Sequence, residues 1–155
     1  MREFVLDTSV VLKWFSTFNE NDLDHALQLR QEMLDGSILF IVPELLFYEL
    51  ANALRYNPNF SPKDVNEALH SVFDMGLEVR KVDRKVMEQA TTIAFKYNIT
   101  IYDAYFLALS RKEEKSFITA DYKFAEKMKG VKGILRLLEI QRLLLSYSET
   151  TLSYP

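Results

Sequence analysis

Short apolar runs alternate with longer amphipathic stretches along the chain, and this alternation predicts the secondary structure. Residues 4–6 form an apolar run that ends at Asp7. The continuous apolar run 38–42 is typical of a strand covered on both faces, whereas residues 77–82 alternate as a half-buried strand does. Further short strands are predicted at residues 116–120 and 134–135.

Helices are predicted between these strands from the apolar spacing and from start and stop signals. One helix follows Asp7 directly. Another is predicted from Pro43 to about Tyr56, because proline is well tolerated at the first helical position. Ser61 and Pro62 likewise begin a helix that ends before Gly76. The remaining predicted helices cover residues 23–34, 84–97, 102–112, 121–128 and 137–145.

Alternating strands and helices indicate an α/β fold with a mostly parallel central sheet and helices on both faces. We expect a single domain over residues 1–155, with a core over about residues 3–136 and a C-terminal helical tail over about residues 137–155. Ligands of such sheets bind beyond the carboxyl ends of the strands. Polar residues at those ends are therefore the first candidates for a functional site.

Composition and charge narrow the classes of protein. The chain has no cysteine, which excludes disulfides and thiolate metal sites. Asp7 comes too early for the apolar region of a signal peptide, and no apolar run approaches the roughly 18 residues that span a bilayer. We therefore expect a cytoplasmic protein without membrane contact. The net charge of -3 argues against bulk electrostatic coating of nucleic acid, so any such contact should be local.

Two aspartates follow predicted strands. Asp7 ends the first apolar run, and Asp121 follows the strand at residues 116–120. Two strand-end aspartates of one parallel sheet would share the edge where ligands bind. The alternative is that each caps the helix that follows it, because aspartate is a preferred N-cap residue. For either residue alone, capping explains the position as well as function does.

Glu49 lies in the apolar stripe of its predicted helix, among Leu46, Leu50 and Ala53. An unpaired buried charge costs several kcal/mol, so this carboxylate should be protonated, paired with a cation or bound to a metal. The alternative to a metal is a salt bridge to Arg55 or to a lysine. Asn52, one turn later, is a candidate for an amide that holds Glu49 in place.

Asp103 falls in the first turn of a predicted helix, where the helix dipole alone could account for an acid. As a set, however, the four acids provide the oxygen donors that Mg²⁺ or Mn²⁺ prefers. His25 and His70 lie in polar helical stretches and are interpreted as surface residues, so a zinc site or a histidine base has no candidate. The chemistry indicated is metal-assisted hydrolysis of a phosphodiester.

Four segments together resemble the PIN-domain family, specifically the VapC-type toxins of toxin-antitoxin pairs. They are residues 5–9 (VLDTS), 43–54 (PELLFYELANAL), 102–109 (YDAYFLAL) and 117–121 (FITAD), in the order and spacing of that family over about residues 3–136. One such segment is weak evidence, whereas four in register are strong evidence. The resemblance implies a three-layer α/β/α sandwich on a parallel sheet.

The resemblance also implies a site and its partners. The family's acids correspond to Asp7, Glu49, Asp103 and Asp121, and its supporting polar positions to Thr8, Ser9, Asn52 and Thr119. The resemblance implies Mg²⁺- or Mn²⁺-dependent cleavage of RNA to 5′-phosphate and 3′-hydroxyl ends. It also implies a homodimer and a VapB-like antitoxin that covers the active-site groove. Apolar residues around Trp14 and Phe15, with the leucine-rich tail, also point to a dimer.

Two other functions were weighed against this one. A PIN-like adaptor could bind RNA or protein without cleaving it. Loss of an acid would favour that function, and all four acids are present. A phosphatase or receiver with Asp7 as phosphorylated nucleophile is disfavoured, because Ser9 stands where the phosphatase pattern requires a second aspartate.

Overall fold

A five-stranded, fully parallel sheet forms the centre of the molecule. The computed structural model describes the backbone of residues 1–151 and the side chains of residues 1–145. The strands are β1 (Arg2–Leu6), β2 (Ile38–Pro43), β3 (Glu78–Arg80), β4 (Phe117–Thr119) and β5 (Ile134–Arg136), in the order β3-β2-β1-β4-β5. The predicted α/β sandwich with a mostly parallel sheet is confirmed, and β1 and β4 are adjacent.

The helices flank this sheet in a three-layer arrangement. They are α1 (Thr8–Leu12), α2 (Leu23–Leu34), α3 (Leu45–Arg55), α4 (Pro62–Asp74), α5 (Arg84–Tyr97), α6 (Ile101–Glu113), α7 (Tyr122–Lys127) and α8 (Ile140–Thr151), and a short 3₁₀ turn over Leu137–Glu139 precedes α8. The bounds of α2 and α5 agree with the prediction. Ser61 caps α4 through a reciprocal capping box with Asp64, as its position before Pro62 suggested.

The prediction that Pro43 begins a helix is wrong. Pro43 is the last residue of β2 and lies opposite Arg80 of β3. The next residue, Glu44, donates its backbone N–H to the Arg80 carbonyl at 3.2 Å, and α3 begins only at Leu45. Proline is tolerated at this strand end because the ladder continues through the N–H of the following residue.

Helix α6 is enclosed by the rest of the core. Residues 104–110 are all buried, and Phe106 stacks on Phe117 of β4 with ring centroids 5.8 Å apart. A helical stretch that is buried on every side is held by packing, and this stretch begins directly after Asp103. The start of α6, which carries Asp103, is therefore fixed relative to the sheet.

The segment after residue 136 contributes to the core. Leu137, Ile140 and Leu144 are buried within it, so apolar packing continues past the boundary expected at residue 136. Trp14 is also buried, and its indole N–H donates to the Ala26 carbonyl at 2.8 Å. These residues belong to the core of one chain, whereas Phe18 and Leu138 nearby are exposed, so the homodimer stays a prediction. Residues 152–155 of the expected tail lie outside the described residues.

The helices offer no candidate for a membrane span. Within residues 1–151, none is both long enough and apolar enough to cross a bilayer.

Candidate metal centre

The carboxyl ends of β1 and β4 bring two of the predicted acids to one edge of the sheet. Asp7 follows β1 directly, and its backbone N–H donates to the Ile118 carbonyl of β4 at 2.9 Å. Asp121 follows β4 by two residues and begins α7. Parallel pairing of Leu6 with Ile118 aligns the two strand ends. The expected shared edge is present.

Asp7 does not cap α1. It occupies the N-cap position, but its carboxylate makes no capping hydrogen bond. Its Oδ2 instead accepts hydrogen bonds from Ser9 Oγ at 2.7 Å and Thr119 Oγ1 at 2.8 Å. Burial raises the pKa of Asp7 from an ordinary value of 3.8 to about 7 in spite of these bonds, and the charges of Glu49 and Asp103 raise it further.

Two hydroxyl groups connect the strand ends to each other. Thr119 Oγ1 accepts the Asp121 backbone N–H at 3.0 Å while it donates to Asp7. Ser9 Oγ accepts the Ala120 backbone N–H at 2.9 Å while it also donates to Asp7. The two hydroxyls therefore hold the Asp7 carboxylate and the backbone that leads to Asp121 in a fixed relation.

Glu49 reaches the same region from α3. It is half-buried, and its Oε1 accepts a hydrogen bond from Thr8 Oγ1 at 2.8 Å. Burial raises the pKa of Glu49, and the charge of Asp103 adds to that effect. Among the described side chains Glu49 has no cationic partner. Arg55 lies over the Tyr56 ring instead, so the salt-bridge interpretation is wrong.

Asn52 does not hold Glu49 in this structure. It is exposed and lines a groove between α3 and α4 with residues such as Phe47 and Phe73. The hydrogen bond to the Glu49 carboxylate comes from Thr8, which is 41 positions earlier in the chain. Helical spacing placed Asn52 one turn from Glu49, but an amide and a carboxylate one turn apart still require converging side chains.

Asp103 connects the other acids electrostatically. Burial is the larger cause of the raised pKa of Asp103, and the charge of Asp121 raises that pKa further. The pKa of Asp7 and that of Glu49 both rise in response to Asp103. Thr100, which the sequence interpretation missed, caps α6 by accepting the Asp103 backbone N–H at 3.1 Å. The Thr-x-x-Asp spacing was a detectable N-cap signal.

Asp121 has a capping role, as its position suggested. Its Oδ1 accepts the Phe124 backbone N–H at 3.0 Å, in the first turn of α7. The residue is exposed, and no hydrogen bond among the described residues is made by its second carboxylate oxygen. Capping and a functional role are therefore compatible, since capping uses only one of the two carboxylate oxygens.

The set of four acids lacks compensating charge. None of them forms an ion pair with lysine or arginine among residues 1–145. Nor do three acidic or imidazole side chains in that range converge closely enough to enclose an ion. Mg²⁺ is commonly held by one or two carboxylates and completed by waters and phosphate oxygens. An open, uncompensated group of carboxylates fits that requirement and does not fit a closed structural site.

Solved structures with this fold include proteins of toxin-antitoxin systems. A chain of a toxin-antitoxin complex from Klebsiella pneumoniae superimposes with a TM-score of 0.63 at 14% identity, over 86% of this chain and 97% of that one. PAE2754 from Pyrobaculum aerophilum gives a TM-score of 0.64 at 18% identity, over 94% and 96%. Mycobacterium tuberculosis VapC20, a Sarcin-Ricin loop cleaving toxin, gives 0.63 at 16% identity, over 79% and 94%. At these identities the likeness shows the fold.

Sequence comparison identifies the family. No curated protein matches the chain. The model of the PIN domain, however, matches residues 4–129, a range that covers most of the chain and contains all four acids. The chain therefore belongs to the PIN domain family.

Proposed function

We propose that this protein is a Mg²⁺- or Mn²⁺-dependent endoribonuclease and the toxin of a VapBC-type toxin-antitoxin pair. The observation that carries the proposal is the group of four mutually repelling carboxylates, without a cationic partner among the described residues, beyond the carboxyl ends of a parallel sheet. Carboxylates so placed destabilise the metal-free protein by repelling one another. Divalent cations that bind during function would neutralise this repulsion and would explain why the acids are present.

Each acid has a distinct part in this proposal. Asp7 is the most firmly held, with two hydroxyl donors on one oxygen and the other oxygen available to a cation. Glu49, Asp103 and Asp121 come from α3, from α6 and from the start of α7, and their charges are coupled to Asp7 directly or through Asp103. A bound Mg²⁺ or Mn²⁺ would activate water and stabilise negative charge on the phosphodiester oxygens. Thr8, Ser9 and Thr119 orient the carboxylates and do not contact the substrate.

RNA is the proposed substrate, and cleavage is proposed to leave 5′-phosphate and 3′-hydroxyl ends. PIN domain proteins are nucleases, and the neighbour VapC20 is a Sarcin-Ricin loop cleaving toxin. The net charge of -3 offers no bulk attraction to a polyanion. Binding should therefore depend on the cations at the acidic edge and on local contacts.

A VapB-like antitoxin is the proposed partner, and the protein is proposed to act in the cytoplasm as a homodimer. The Klebsiella pneumoniae neighbour comes from a toxin-antitoxin complex. On this chain, the groove between α3 and α4 carries exposed aromatic residues, among them Tyr48 and Phe73, beside the helix that holds Glu49. An exposed apolar groove next to the acids is a suitable surface for a partner that blocks them.

Incubation of purified protein with RNA tests the proposal. Structured and unstructured RNA and matched single-stranded DNA are incubated with Mg²⁺, Mn²⁺ or EDTA, and the product ends are analysed. The proposal predicts RNA products with 5′-phosphate and 3′-hydroxyl ends in either metal and none in EDTA. RNA binding without cleavage in both metals would favour the adaptor function instead.

A further inference from the structure

Asp121 lies at the start of a short helix. Helix α7 has 6 residues, from Tyr122 to Lys127, and a helix of that length has little stability of its own. Phe124 is buried and anchors one side of it. The position of Asp121 relative to Asp7 therefore depends on what else holds the first turn.

Tyr122, the first residue of α7, provides such a contact. Its hydroxyl donates to Asp22 Oδ2 at 2.6 Å, across 100 positions in sequence. One phenol oxygen thus connects the residue before α2 to the first residue of α7.

The Asp22 carboxylate bonds to Tyr122 and does not cap the helix that follows it. It occupies the N-cap position of α2, where an aspartate ordinarily accepts a backbone N–H, but its side chain makes no capping bond. Its backbone is left-handed, with φ of 56°, a conformation that aspartate tolerates better than most residues. The carboxylate is directed toward Tyr122 instead.

The segment that presents Asp22 is itself fixed. Residues 13–22 connect α1 to α2, and we call them the α1–α2 strap. Lys13 and Glu20 form an ion pair across the strap at 2.6 Å, with side-chain exposures of only 5% and 16%. Helix α1 begins directly after Asp7, and the last residue of the strap, Asp22, contacts Tyr122 of α7, the helix that follows Asp121.

We propose that Tyr122 and Asp22 are positioning residues that hold Asp121 at the metal site through the α1–α2 strap. This inference rests on the proposed function, because it takes Asp121 to be part of a metal site. Neither residue is a ligand. The hydroxyl fixes the first turn of α7, and the Asp121 carboxylate is fixed by that turn through its bond to the Phe124 N–H.

The test is a double-mutant cycle read by Mn²⁺ binding. Tyr122→Phe and Asp22→Ala each remove the same hydrogen bond, so each should weaken Mn²⁺ binding about 10-fold by calorimetric titration, and the double variant should be no weaker than either. Asp22→Asn keeps an acceptor oxygen and should restore most of the affinity. Exchange of the Phe124 amide should be faster in Tyr122→Phe, without any metal.

Ser61→Ala is the matched control. It removes the capping box of α4, a helix that carries none of the four acids and does not contact α7 through any described hydrogen bond, so it perturbs stability without altering the position of Asp121. Its Mn²⁺ affinity should equal that of the parent below the unfolding temperature. The same titration is made on parent and all variants in the folded state, as verified by circular dichroism.

Two outcomes separate the inference from the proposed function. If the parent binds Mn²⁺ and folded Tyr122→Phe binds it within twofold of the parent, the inference is overturned and the proposed function stands. Additive losses in the double variant overturn the inference as well. If the parent itself binds no Mn²⁺ and cleaves no RNA, the proposed function fails and the inference fails with it.

Discussion

Replacing Asp7 by asparagine should stabilise the metal-free protein at neutral pH. The amide is nearly the same shape as the carboxylate, and its oxygen can accept the hydroxyls of Ser9 and Thr119 in place of Oδ2. Its NH₂ group then replaces Oδ1, and the negative charge that Glu49 and Asp103 repel in the parent is absent. The substitution therefore removes a repelling, desolvated charge and retains the local packing.

The raised pKa of Asp7 sets the size and the sign of this effect. The folded value of about 7 exceeds the ordinary 3.8, so the folded protein holds a proton at Asp7 more tightly than the unfolded chain does. The contribution that protonated Asp7 makes to the free energy of unfolding is fully present below about pH 4. It is lost as the pH rises through 7. The loss approaches about 4 kcal/mol at pH 8 and is below about 2 kcal/mol at pH 5. These are upper bounds, because Asp7 as a residue is only partly buried.

The assay is urea unfolding of parent and Asp7→Asn in EDTA, at intervals from pH 4 to pH 8. The stability difference in favour of the variant should grow with pH and should vanish near pH 4. Asp74→Asn, at an exposed position on α4, is the control and should stay within about 0.5 kcal/mol of the parent throughout. An Asp7→Asn variant that is no more stable than the parent at pH 8 would show that the Asp7 charge does not destabilise the folded protein.

Three other substitutions test separate parts of the structure. Glu49→Gln should leave metal-free stability by calorimetry equal or higher and weaken Mn²⁺ binding at least about 10-fold, whereas a loss of about 3 to 5 kcal/mol would reveal a stranded cation. Thr119→Val leaves the Asp121 N–H without its acceptor and should cost about 1 to 3 kcal/mol in urea unfolding; an unchanged midpoint would contradict this. The hydrogen bond from Lys112 lowers the pKa of Asp83, so Asp83→Asn should lower the melting temperature at pH 7 and have no effect near pH 2, opposite in sign to Asp7→Asn.

Local signals in the sequence were sufficient for much of the fold. The bounds of α2 and α5 follow from apolar spacing and from residues that end helices, and Asp83 caps α5 by accepting the Val86 N–H at 3.0 Å. Asp7 and Asp121 could be placed at one edge because parallel strands align their carboxyl ends. These inferences depend on neighbours within a few positions, which the sequence displays directly.

Contacts between distant segments could not be predicted in the same way. The donor to Glu49 is Thr8, and the acceptor for Tyr122 is Asp22, 100 positions earlier. Burial of Trp14 depends on α2 and on β2, where its ring lies 6.4 Å from that of Phe40. Such pairings are decided by packing, and helical or strand periodicity contains no information about them.

The proposed function requires that the acids hold divalent cations for RNA cleavage, and the rate of cleavage across a Mg²⁺ titration is its sharpest test. Parent, Asp103→Asn and the control Asp74→Asn are compared on one RNA. Cleavage by parent and control should saturate with Mg²⁺, and folded Asp103→Asn should cleave at least about 100-fold more slowly at every concentration. Cleavage by Asp103→Asn at the parent's rate and with the parent's Mg²⁺ dependence would overturn the proposed function.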